Sequence, residues 1–165
     1  AFGTGRHGST QGCLMALDSL KKRSIKSALD MGCGSGILAL AISKRWRCQV
    51  VAFDIDTTAV RMAKENSAIN GETRFVNVLQ GPGYCTRFFR HRKFDLIVSN
   101  IVARPLVKMS SKLSRCLALG GTAILSGLLT SQEAQIVVAH RVHGLKLKQR
   151  IRIDGWSTLV LRKDA

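Results

Sequence analysis

The 165-residue chain has no Cys-x-x-Cys pair. Its five cysteines, Cys13, Cys33, Cys48, Cys85 and Cys116, are odd in number and widely spaced. That pattern argues against a disulfide framework and against a structural zinc site. It fits a reducing compartment, with most of the thiols packed as small core side chains. The cytoplasm is the expected location. No stretch approaches the roughly 18 apolar residues of a membrane span, and nothing resembles a signal peptide. Carboxylates are scarce: ten Asp and Glu stand against 26 Lys and Arg, for a formal net charge of +16. Such a charge implies an acidic partner or a surface that tolerates it. Aromatic residues are only 5% of the chain, with one Tyr and two Trp, which leaves little for a base-stacking platform. No internal repeat is visible. What remains is 45% hydrophobic and 22% charged. That composition disfavours disorder, and the length suits a single domain over residues 1–165. A monomer is expected.

The basic residues are clustered. Lys21, Lys22, Arg23 and Lys26 form one group, and Arg87, Arg90, His91, Arg92 and Lys93 a second. Arg104, Lys108, Lys112 and Arg115 follow at helical spacings. Lys146, Lys148, Arg150 and Arg152 alternate with apolar residues and read as the wet face of a strand. Most of this charge is assigned to solvated surface; the competing reading places one patch against a polyanion such as ribosomal RNA.

Thr10 reads as a helix N-cap, followed by a stripe of Cys13, Leu14, Leu17 and Leu20. Short apolar runs at Ser27–Met31, Gln49–Phe53, Thr73–Leu79, Phe94–Ser99 and Thr122–Ser126 read as strands. Helical periodicity covers Ile37–Trp46 and Thr57–Asn70, with Asp56 as a cap for the latter. A further helix is expected from Pro105, ended by Gly120 and Gly121. Thr130 and Glu133 read as a capping-box pair opening a last helix that Gly144 closes. In that helix His140 and His143 read as packing or surface residues. Leu145–Ile153, Asp154-Gly155 and Trp156–Leu161 form a strong hairpin signal, because Asp-Gly suits a type I′ turn. Trp156 is expected to pack in the core. The fold class is therefore α/β: a doubly wound, mostly parallel seven-stranded sheet with a C-terminal antiparallel hairpin.

Leu29-Asp30-Met31-Gly32-Cys33-Gly34-Ser35-Gly36 lies between the first strand and the helix after it. Glycines there let a ligand approach the backbone, and the helix start offers unpaired N–H groups. Asp54 follows Gly32 by 22 residues, at the end of the second strand, where a carboxylate can accept from both ribose hydroxyls. A dinucleotide fingerprint would need glycine at position 37, which is Ile, and no Walker A ending is present. The pattern points to a nucleoside cofactor. Asp30 is read as holding the loop rather than as half of an acid–base pair. Asn100 leaves the buried run Asp95–Ser99 at the ligand side of the sheet. It is either a turn residue or a carboxamide whose oxygen holds a substrate N–H while the nitrogen lone pair faces an electrophile.

These residues resemble the catalytic domain of the ribosomal protein L11 methyltransferase family, class I S-adenosylmethionine-dependent enzymes with a Rossmann-like fold. The likeness rests on Ala1-Phe2-Gly3-Thr4-Gly5-Arg6-His7 with Ser9-Thr10, on Leu29–Leu40, on Asp54-Ile55-Asp56 with Asn66, and on Asn100–Leu106. Gly121–Leu129 and Asp154-Gly155-Trp156 also look like that family. The resemblance implies S-adenosyl-L-methionine as cofactor and L11 as partner, methylated on lysine side chains and its N-terminal amine. It implies that Thr10, Gly32, Gly34 and Asp54 bind cofactor and that Asn100 lies where cofactor and amine meet. Phe2 is a candidate lid, and His7 a substrate contact or proton relay, or else a residue that orders the loop. The family also carries an N-terminal recognition domain, expected to be absent from this chain, which opens inside a glycine-rich loop. Ser9 stands where the family has the first of two threonines. No convincing carboxylate follows the third strand, so adenine contacts are expected from backbone or Gln80. Two other readings stand beside this one: an RNA or DNA N-methyltransferase, and a cofactor-binding fragment inactive on its own.

Overall fold

A computed structural model describes residues 5–20 and 22–165. Helix α1 (Gly8–Ser19) precedes β1 (Ser27–Met31), α2 (Ile37–Trp46), β2 (Gln49–Asp54), α3 (Thr57–Ile69) and β3 (Val76–Gln80). Two short 3-10 turns, Gly83–Cys85 and Arg87–Phe89, lead into β4 (Phe94–Asn100), α4 (Ala103–Cys116), β5 (Leu117–Leu129), α5 (Glu133–Arg141), β6 (Leu145–Ile153) and β7 (Trp156–Lys163). The sheet order is β3-β2-β1-β4-β5-β7-β6, parallel except where β7 runs against β5 and β6. The order reverses between β1 and β4, so their carboxyl ends flank the crevice where such sheets bind ligands. None of the described helices is long and apolar enough to cross a membrane.

Period-two alternation in the buried strands supplies a core on each face. Ala28, Val50, Leu96 and Ile124 pack under α1, α2 and α3 with Cys13, Leu17 and Ile42. Leu29, Ile97, Leu125 and Leu159 pack under α4 and α5 with Leu106, Leu113 and Ile136. Four of the five free thiols are buried in this way, and Cys85 is exposed. His140 is wholly buried, and its Nδ1 lies 2.8 Å from the Ile136 carbonyl oxygen. The hairpin turn has positive φ at Asp154 (51°) and Gly155 (79°), as a type I′ turn requires. Pairing of β6 with β7 skips one residue between Leu147 and Gln149.

Five expectations are corrected. Thr10 is not the N-cap of α1; His7 is, accepting the Ser9 N–H at Nδ1, and Thr10 lies buried in the first turn. The fourth helix begins at Ala103 and ends at Cys116, before Gly120 and Gly121, which belong to β5. The reason is that Leu117 is extended and pairs with Phe94, with a register shift before regular pairing resumes at Thr122. The third strand starts at Val76, because the Glu72 carbonyl accepts from both Phe75 and Val76 N–H and closes a turn. Trp156 is half-buried rather than in the core, its ring tilted against His7 at 4.8 Å.

Thr130 and Glu133 do not form a capping box either. Gln132 Oε1 accepts the Leu129 N–H at 2.8 Å, and the Glu133 carboxylate turns to β6 and β7. There it accepts from Arg152 (2.8 and 2.9 Å) and Ser157 Oγ (2.6 Å), with Arg150 at 3.2 Å. The Arg152 hydrogen bonds come first among the causes that hold its pKa down at about 2, against 4.5 ordinarily. Replacing Glu133 with Gln is expected to cost about 2 kcal/mol at pH 7, since bonds to charged groups are removed from a buried acceptor. A depressed folded pKa stabilises above the unfolded value and is lost below it. The gap between wild type and variant in urea unfolding should therefore narrow from pH 4.5 toward pH 2.

Candidate functional site

Three strand ends meet at the crevice. β1 ends in the glycine loop, β2 in Asp54 and β4 in Asn100. A cavity of about 640 Å³ opens there, lined by Gly32, Gly34, Asp54, Gly81–Gly83, Asn100, Ile101 and the start of α4, among others. Its size and apolar lining with a few polar groups suit a drug-sized or nucleoside ligand.

The three glycines of the loop have different physical reasons. A Cβ on Gly34 would meet nothing within 4 Å, so this is the position that leaves room for a ligand. One on Gly32 would lie 2.4 Å from Ile101 Cγ2, and one on Gly36 would lie 3.2 Å from the Ala63 Cβ. Gly32 therefore admits a side chain from the β4 loop, and Gly36 admits α3. Ile101 is gripped from the other side as well. A Cβ on Gly127 would lie 2.4 Å from the Ile101 carbonyl oxygen. The Ile101 N–H donates to the Ser126 carbonyl at 3.1 Å.

Asp54, expected from the sequence to accept from ribose hydroxyls, is tied to two backbone amides. Its Oδ2 accepts the Gly34 N–H at 2.9 Å and its Oδ1 the Asp56 N–H at 3.0 Å, so one carboxylate ties both loops to the end of β2. Asp56 caps α3 as expected, accepting the Thr58 N–H at 3.1 Å. Asp30 is buried below the loop. Its Oδ2 accepts the Ala39 N–H at 3.0 Å, so one of the amides expected to be open at the start of α2 is already taken. Burial, chiefly, raises its pKa to about 7, and its Oδ1 has no partner.

Asn100 is the decisive polar group. Its Nδ2 donates to Thr10 Oγ1 at 3.3 Å. Its Oδ1 is buried without a hydrogen-bond partner. Thr10 itself is wholly buried and is not among the residues lining the cavity; it meets Asn100 instead. It is held in place because α1 lies across the sheet, with Ser126 Oγ 3.1 Å from the Ser9 carbonyl oxygen and 2.7 Å from Thr158 Oγ1. His7 caps α1 and packs on Trp156, the loop-ordering arrangement of the two considered for it. Gln80, offered as an adenine contact, donates to Thr57 Oγ1 and the Ile55 carbonyl and does not line the cavity. Phe2 lies outside the described residues. Among those described, no cluster of His, Cys, Asp and Glu could hold a metal ion.

A sequence profile described as ribosomal protein L11 methyltransferase (PrmA) matches residues 1–164. The chain belongs to this family. It is 48% identical to the ribosomal protein L11 methyltransferase of Agrobacterium fabrum, over 99% of this chain and 57% of that one. It is 46% identical to the one from Bradyrhizobium diazoefficiens, over 99% and 56%. The chain thus spans a little over half the length of these curated relatives. The crystal structure of a ribosomal protein L11 methylase from Lactobacillus delbrueckii subsp. bulgaricus matches with a TM-score of 0.88 at 28% identity, covering 98% of this chain and 81% of that one. A methyltransferase from Pyrococcus furiosus shares the fold at a TM-score of 0.74 and 21% identity. Ile101, which lines the cavity, and Gly127, which packs on the Ile101 backbone, were not among the candidate residues read from the sequence. An unexplained glycine directly after a buried strand residue was the available signal.

Proposed function

We propose that the chain binds S-adenosylmethionine in the 640 Å³ cavity and transfers its methyl group to amine nitrogens of ribosomal protein L11. The family to which the chain belongs supports the substrate, and the unpaired, buried Oδ1 of Asn100 carries the assignment of the chemistry. When bound, the cofactor supplies an electrophilic methyl on a sulfonium. The residues supply position. Each Asp54 oxygen already accepts one backbone amide and keeps a lone pair for a ribose hydroxyl. Gly34 leaves the approach to the loop open. Asn100 Oδ1 accepts an N–H of the incoming amine and so turns the nitrogen lone pair toward the cavity. Thr10 holds the other end of the carboxamide and acts as a positioning residue.

No strong base is needed at the nitrogen. The cavity's carboxylates, Asp54 and Asp56, are engaged with backbone amides. A lysine amine with an ordinary pKa of about 10.4 is pushed toward its neutral form by burial in an apolar cavity. Isothermal titration with S-adenosylmethionine, followed in the same sample by methyl transfer to purified L11, tests the reading. Micromolar binding with transfer is the expected result. Failure to bind overturns the cofactor, and binding with transfer only to another acceptor overturns L11.

A further inference from the structure

A second cleft, of about 570 Å³, lies on the other side of the segment that follows β3. Its walls are the two 3-10 turns and the outer part of α4, and Arg90, Arg92, Lys93, Lys112 and Arg115 line it with Tyr84 and Thr86. No carboxylate lines it. The sequence explains why. Residues 73–132 hold nine Lys and Arg (positions 74, 87, 90, 92, 93, 104, 108, 112 and 115) and one carboxylate, Asp95. Asp95 Oδ2 is taken by the N–H groups of Lys26 and Ser27.

The cations here differ from those of β6. Lys146 pairs with Asp164, and Arg150 and Arg152 pair with Glu133. The five around the cleft have no carboxylate partner among the described residues. Lys112 donates to the Cys85 sulfur at 2.8 Å, Lys93 donates to the Arg115 carbonyl, and Arg92 stacks over Phe88 at 3.9 Å. Like charges gathered without a counter-charge leave a positive field that an external anion relieves. Tyr84 is buried with its OH unpaired, and Thr86 Oγ1 is buried and unpaired beside it.

The charge runs on beyond the cleft. Arg104, Lys108, Lys112 and Arg115 are all exposed along α4. The eleven helical steps from Arg104 to Arg115 make that row about 16 Å long, which is too extended for one small anion and suits a chain of them. Guanidinium forks match phosphate oxygens. We propose that this cleft and the α4 row seat the phosphodiester backbone of a single-stranded nucleic acid, independently of the methyl-transfer site.

The test is fluorescence anisotropy with a labelled single-stranded RNA 12-mer between 50 and 200 mM salt. The variant Arg90→Ala/Lys112→Ala/Arg115→Ala is compared with a control of equal charge, Lys22→Ala/Lys64→Ala/Arg141→Ala, after thermal melts show that both are folded. Should the cleft variant melt early, the exposed pair Arg104→Ala/Lys108→Ala replaces it. The cleft triple is expected to bind about tenfold or more weaker at 50 mM salt, with a salt slope shallower by about 2, since each single-strand phosphate contact contributes about 0.7. The exposed pair should lose about 1.4 of slope on the same basis. The control triple should bind within about threefold of wild type. Equal losses in cleft and control variants overturn the proposal, as does wild type that fails to bind RNA at 50 mM salt. A poly-glutamate peptide of equal charge that binds as tightly as the RNA also overturns it, in favour of an acidic protein segment.

Discussion

Asn100→Ala should lower kcat for L11 methylation about a hundredfold, the usual size of effect when a reacting group loses its positioning. The Kd for S-adenosylmethionine should change less than threefold. The split follows from where the two ends of the carboxamide go. Nδ2 is spent on Thr10, so its loss costs the cofactor little. Oδ1 is buried and unpaired and has a task only once an amine arrives. Asn100→Asp keeps the shape and the oxygen but loses the donor to Thr10 Oγ1, and should recover only part of the rate. Thr10→Val should resemble a mild form of Asn100→Ala, with kcat reduced and KM for cofactor unchanged. Asp54→Ala reverses the pattern: it removes ribose acceptors and also releases the Gly34 and Asp56 amides, so cofactor affinity should fall by about tenfold or more. Isothermal titration and single-turnover rates on both variants decide the matter. Matching losses of cofactor affinity for Asn100→Ala and Asp54→Ala would remove the distinction between the two residues.

Gly127→Ala should be the most damaging small substitution in the chain, lowering stability by about 3 kcal/mol or more. Two costs add. The residue sits at φ +85°, where a side chain is strained, and a new Cβ would press on backbone atoms of Ile101 at 2.4, 2.8 and 2.9 Å. Backbone does not yield as the tip of a side chain does. Any shift that relieves the contact carries Ile101 toward Gly32, where its Cγ2 already occupies the place of a Cβ. Cofactor affinity should therefore fall together with stability. Urea unfolding reads the first loss and titration the second. A folded Gly127→Ala protein with wild-type cofactor affinity would show that Ile101 does not transmit strain to the loop.

Local pattern made much of this fold legible. The helix Ile37–Trp46 and the strand Leu145–Ile153 carry periodicities of their own, and both have the bounds that the sequence predicts. Asp154-Gly155 declares its turn, because two positive φ values leave few other choices of residue. The places of Asp54 and Asn100 at the ends of their strands were legible in the apolar runs that precede them. Where reading failed, the cause was contact between distant segments. Thr10 looks like a cap in its own neighbourhood, and only the packing of α1 against β5 and β7 brings it to Asn100, 90 residues away. Gly120 and Gly121 look like a helix stop, yet Leu117 had already been drawn into the sheet by Phe94. Glu133 fits a capping box by spacing, but two arginines on β6 compete for it more strongly than a backbone amide can. The grip on Ile101 is invisible in sequence for the same reason, since Gly32 and Gly127 are 95 positions apart and only the folded sheet sets them on either side of it.

The skipped residue in the pairing of β6 with β7 is Lys148. It lies on the strand that ends the sheet, beyond which no further strand pairs among the described residues. An open border of that kind is a template on which a second molecule's strand can add, and repeated addition is how sheets grow into aggregates. A bulge twists the border out of register with an incoming strand, and the exposed Lys148 places a cation there that an approaching copy of the same chain must meet. The lysine that breaks the ladder thus guards the protein against polymerising through its own last strand.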